Sequence, residues 1–84
     1  MENHKSVPKL GSNRAAIIHL APGQMPIMCT VVEFFDGGAG LTVINVQAVP
    51  DQFELEIKGE DVRRICKIVW KKPPNRLGVS FENL

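Results

Sequence analysis

The chain has 84 residues, which is enough for one domain and no more. Ten basic and nine acidic residues leave a formal net charge of +1, so no general field draws in nucleic acid or an anionic membrane. No apolar run approaches the ~18 residues of a membrane helix, and a domain of this size buries only about 60–65% of its unfolded surface, which argues against a deep enclosed active site.

Residues 1–13 carry Ser6, Pro8, Gly11, Ser12 and Asn13, and Lys5 and Lys9 stand against the single acid Glu2. This composition predicts a flexible, basic N-terminal arm. Met1-Glu2-Asn3-His4-Lys5 has no apolar core behind it, so no signal peptide is expected and a cytoplasmic location follows. Residues 14–84 are expected to form a single domain.

Strand signals dominate from Arg14 onward. Residues 14–20 are short, apolar and partly β-branched, and Ala21-Pro22-Gly23-Gln24 reads as a turn. Residues 27–34 predict a second strand, ended by Asp36-Gly37-Gly38, and residues 40–46 a third. After a turn at Val49-Pro50-Asp51 comes the cleanest alternation in the chain. Phe53, Leu55 and Ile57 face one way and Glu54, Glu56 and Lys58 the other, which gives one dry face and one wet face. Gly59-Glu60-Asp61 turns the chain into a long strand over 62–71. On a strict period of two, Cys66, Ile68 and Trp70 share one face of it, and Ile65, Lys67, Val69 and Lys71 share the other. Trp70 is therefore expected in the core or at its rim. Pro73-Pro74-Asn75 leads to a last strand with Leu77, Val79 and Phe81 on one side. Six short strands at near-regular spacing predict an all-β fold, a six-stranded antiparallel barrel, because closure removes exposed edges from so small a sheet.

Catalytic and metal signals are weak. Cys29 and Cys66 lie 37 positions apart, with no CxxC and no clustered His. They are expected as buried, reduced thiols within strands, not as a disulfide or a zinc site. Neither His4 nor His19 has a partner at catalytic spacing. The run Phe34-Phe35-Asp36-Gly37-Gly38-Ala39-Gly40 lacks the spacing and the lysine of a phosphate loop, and no helix is expected to follow it. The chain is not expected to be an enzyme, and no cofactor is expected.

Three segments, in order, carry a family pattern: Lys5-Ser6-Val7-Pro8-Lys9, then Glu33-Phe34-Phe35-Asp36-Gly37-Gly38, then Cys66-Lys67-Ile68-Val69-Trp70 with Leu77-Gly78-Val79-Ser80-Phe81-Glu82. Over almost its whole length the chain resembles the PilZ domain, the bacterial receptor module for cyclic di-GMP. The resemblance implies a small barrel that holds the nucleotide with an RxxxR arm and a [DN]xSxxG strand end. It nominates Lys5, Lys9, Glu33, Phe35 and Gly38 as the ligand-facing positions.

Both ligand motifs are altered here. Lys5 and Lys9 keep positive charge but lack the planar, five-donor guanidinium that stacks on bases and forks onto phosphates. Glu33 is one methylene longer than Asp, and Phe35 has no hydroxyl where the family has Ser. Gly38 alone matches, with a positive φ or a close approach by ligand as its expected role. A plain structural reading stands beside each of these. Lys5 and Lys9 fit a solvated arm, and Glu33 fits a strand-end carboxylate in water. Of Phe34 and Phe35, one is expected in the core and the other exposed or over a barrel mouth. Arg63-Arg64 and Lys71-Lys72 are expected on a wet face or as protective edge charges.

The expected function is therefore that of a non-catalytic signalling or adaptor domain of the bacterial cyclic di-GMP pathway. Nucleotide binding is weak or lost, and an unidentified protein partner provides the output. Two alternatives remain beside it. One is a functional cyclic di-GMP receptor despite the substitutions. The other, less favoured, is a small barrel that binds single-stranded nucleic acid, which would need exposed aromatics and a basic groove.

Overall fold

The computed structural model describes residues 13–82. Lys5 and Lys9, and the arm expected over 1–13 except Asn13, lie outside the described residues. Six strands are present: β1 (Arg14–His19), β2 (Ile27–Phe35), β3 (Gly38–Thr42), β4 (Gln52–Ile57), β5 (Arg64–Lys72) and β6 (Arg76–Phe81). They form a closed antiparallel barrel in the order β1-β2-β3-β6-β5-β4, with β4 returning to β1 through Ala16↔Ile57 and Ile18↔Leu55. Closure leaves no sheet edge, so Arg63-Arg64 and Lys71-Lys72, at the two ends of β5, have no edge to protect.

The turns follow local chemistry. Gly23 and Gly59 take φ of 89° and 94°, a region that L side chains avoid. β2 and β3 are joined by the two-residue turn Asp36-Gly37, with Phe35 opposite Gly38. The third strand is shorter than residues 40–46. It starts at Gly38 and stops at Thr42, and Val46–Ala48 forms a 3-10 turn instead. The Asn45 side chain caps that turn by accepting from the Gln47 N–H at 2.9 Å. The Val43 and Val46 N–H groups donate to the Asn75 and Pro74 carbonyls. These bonds hold the segment across one mouth of the barrel, where Val46 has no exposed surface.

The dry faces meet inside. Phe53, Leu55, Ile57, Cys66 and Val79 are buried together with Ile18, Leu41 and Leu77, and Ile68 and Phe81 pack against them from the rim. The interior of so narrow a barrel is filled by side chains and leaves no channel. Among the described residues no helix is long and apolar enough to cross a membrane.

Two β-bulges set which side chains reach the outer wall. On β5 the register passes from Ile68↔Val79 to Trp70↔Gly78, so Val69 is the extra residue. Strict alternation fails there. Trp70 leaves the phase of Cys66 and Ile68, turns outward and is 44% exposed, which corrects its expected place in the core or at its rim. Lys71 takes the inward phase, and its Nζ donates to the Val49 carbonyl at 3.2 Å across the same mouth. On β2 the shift lies between Val31 and Glu33, so Val32 is extra. Phe34 then packs against the core, while Glu33 and Phe35 share the outer wall with Gly40 and Gly38.

Candidate functional site

The four strands β2, β3, β6 and β5 lie side by side, and their outward positions form rows. Glu33 pairs with Gly40, Gly40 with Gly78, and Gly78 with Trp70. The next row runs Phe35, Gly38, Ser80, Lys67, and the row on the other side ends in Thr42, Arg76 and Lys72. The two middle strands carry almost no side-chain bulk, so the wall sinks into a groove of 290 Å³. Glu33 and Phe35 bound it on one side, Val69 and Trp70 on the other. Three of the five expected site residues, Glu33, Phe35 and Gly38, therefore come together in one groove.

Glycine is required at its floor. A Cβ on Gly78 would run into the Trp70 indole, whose Nε1, Cε2 and Cζ2 atoms cover that residue. An aromatic ring that covers a cross-strand glycine in this way shields backbone that would otherwise be open to water. A Cβ on Gly40 would sit 2.7 Å from Glu33 Oε1, so the glycine makes room for the carboxylate to lean over the floor. Gly38 does not take a positive φ, contrary to one of its two expected roles. Its close neighbour is the Val79 carbonyl oxygen of the adjacent strand, which a Cβ would strike.

Electrostatics are uneven around the groove. Glu33 Oε1 is 3.8 Å from Arg76 Nη2, an ion pair at its outer limit and too long for a hydrogen bond. The Arg76 Nε–H is enclosed and meets no acceptor among the described residues. Lys72 stands directly opposite Arg76, a like-charged cross-strand pair. Among the described residues, Lys67 and Lys72 have no acidic partner.

Elsewhere ionisable groups are tied into the fold. Arg64 lies 4.7 Å from the Phe81 ring centroid and 5.6 Å from that of Phe34, whose rings meet edge to face at 5.9 Å. With its 3.0 Å pair to Glu60, this stack closes the mouth opposite Lys71. Arg64 thus does structural work that its sequence neighbour Arg63 does not. Arg63 pairs on the surface with Glu54 at 3.3 Å. A larger depression of 580 Å³ lies across the barrel beside β1 and β4. Its His19 bonds Glu56 at 2.8 Å, and its Glu54 is the partner of Arg63. Cys29 and Cys66 are both free and buried, and burial pushes both thiols up to about 12.

Sequence reasoning missed Gly40, Gly78 and Trp70 as groove residues, and Arg76 beside them. Gly78 could have been found, since it falls between the inward Leu77 and Val79. Gly40 shares the phase of Gly38 and could have been found as well. Trp70 could not, because its outward turn depends on the bulge. Comparison of the chain with family models, with curated proteins and with solved structures finds no match.

Proposed function

We propose that this chain is a PilZ-like, non-catalytic signalling or adaptor domain that works in the bacterial cytoplasm through protein contact, with cyclic di-GMP binding weak or lost. The observation that carries the reading is the pairing of Phe35 and Glu33 along the groove where the resemblance puts the ligand contacts. A half-buried phenyl ring occupies the place of a hydroxyl, and a carboxylate leans over the floor where phosphate would approach. A phosphate brought beside Glu33 meets like charge, and the neighbouring Arg76 guanidinium already faces that carboxylate. At 290 Å³ the groove lies at the lower edge of the range of small-molecule sites, roughly 300–1,000 Å³, which is small for a dinucleotide.

Calorimetric titration of the full chain with cyclic di-GMP at physiological salt tests this reading. Little or no heat is expected. Micromolar affinity would overturn it and restore the receptor reading.

A further inference from the structure

The geometry points to an occupant for the same groove: an extended acidic segment of a partner protein that lays an apolar side chain on the glycine floor beside Trp70 and sets its carboxylates on Lys67 and on the Lys72–Arg76 pair. This inference rests on the protein-contact reading above and names the chemistry of the partner.

Charge decides the sign. Among the described residues the groove face presents Lys67, Lys72 and Arg76 against the carboxylate of Glu33, which faces Arg76, so the excess positive charge rests on the two lysines. Lys72 and Arg76 face each other across β5 and β6, an arrangement that costs stability when nothing neutralises it. Glu33 faces Arg76 at 3.8 Å, at the outer limit of an ion pair, so an incoming carboxylate beside Lys72 would relieve the repulsion that remains. The two lysines bracket Trp70 on the outer wall of one strand, with the bulge between them. At about 3.3 Å per residue they stand roughly 15 Å apart, so an extended partner reaches both with acidic residues about four positions apart.

Shape selects a peptide over a polyanion. The ridges on β2 and β5 are three inter-strand steps apart, about 14 Å, which is wide enough for a single extended chain. β3 and β6 are hydrogen-bonded to both neighbours, so recognition runs through side chains and not through strand addition. Single-stranded nucleic acid needs successive stacking platforms. Among the described residues this face offers the exposed Trp70 on one wall and a half-buried Phe35 on the other, not a row of platforms for successive bases. The neighbouring Val69, 59% exposed, adds apolar area on the Trp70 side, where an aliphatic anchor would settle.

The test is a selection of random dodecapeptides on the immobilised full chain, run in parallel on Lys67→Glu/Lys72→Glu. Both positions are exposed, and an unchanged far-UV spectrum checks that the variant folds. The expected winners are net acidic, with carboxylates flanking an apolar residue. They shift the emission of Trp70, the single tryptophan of the chain, and bind the double variant at least tenfold more weakly. Neutral or basic winners, binding indifferent to the two substitutions, or no enrichment over the variant would overturn the inference. Tighter binding of phosphatidylserine vesicles or of an oligo-dT strand through the same lysines would overturn it too. Winners that map to another face sink this site but leave the protein-contact reading standing. That reading falls separately, on the cyclic di-GMP titration.

Discussion

Gly78→Ala tests the packing of the groove wall most directly. A methyl group there runs into the Trp70 indole, so the ring must swing away. Trp70 is 44% exposed, so a little over half of it is buried. For a large aromatic that amounts to about 130 Å², or about 3 kcal/mol at ~25 cal/mol per Å² as a ceiling. A swing that forfeits half of this costs about 1.5 kcal/mol. Against it stands the stiffer unfolded chain, worth about 0.5 kcal/mol, because Gly78 does not have a positive φ. The net expectation is a loss of about 1 kcal/mol, or a melting point lower by about 4–8 °C in a domain of this size. In a Trp70→Ala background the obstacle is gone, and the same substitution becomes neutral or mildly stabilising. Thermal and urea unfolding followed by far-UV circular dichroism on all four proteins gives the coupling energy, expected near 1.5 kcal/mol. An equal cost of Gly78→Ala in both backgrounds would refute the placement of the indole over the glycine.

Gly38→Ala is expected to cost more, about 2–3 kcal/mol, and to be insensitive to Trp70, because its methyl meets the Val79 carbonyl and backbone cannot swing aside; rescue by Trp70→Ala in the same unfolding assay would contradict this. Lys71→Met keeps the stem but removes the bond to Val49, for a loss of about 1 kcal/mol, whereas Lys67→Met, with no partner to lose among the described residues, should leave the urea midpoint unchanged. Both thiols should label only as fast as the domain unfolds, and rapid modification of either in the native protein would show an accessible sulfur. Their pKa values rise from 9.0 to about 12, so the stability their neutral forms contribute is complete below about pH 9 and is lost as pH climbs towards 12; a pH series of unfolding midpoints should show that sign. Lys5→Arg, Lys9→Arg, Glu33→Asp and Phe35→Ser combined should create cyclic di-GMP binding measurable by calorimetry, each restored charged contact adding about 1.5–3 kcal/mol, while any one alone does little; a fourfold variant that stays silent would mean the groove itself excludes the nucleotide.

The sequence by itself determined the strands and the dry face. Phe53, Leu55 and Ile57 alternate with Glu54, Glu56 and Lys58, and alternation is a property of each strand alone, so it can be read without knowing the neighbours. A turn was legible at Asp36-Gly37-Gly38 as well, but the pairing of Gly38 with Phe35 shortens it to Asp36-Gly37. Glu33, Phe35 and Gly38 could be nominated from their place in a pattern, and they do share one surface. Tertiary structure decided the rest. Closure through β1 and β4 follows from which edges meet, and the 3-10 turn at Val46–Ala48 follows from carbonyls offered by Pro74 and Asn75, distant in sequence. The bulges at Val32 and Val69 belong to pairs of strands and not to either strand, so their reversal of facing was invisible along the chain. That reversal brings Trp70 out over Gly78, turns Lys71 in to Val49, and makes a groove from four strands whose outward glycines mean little one at a time.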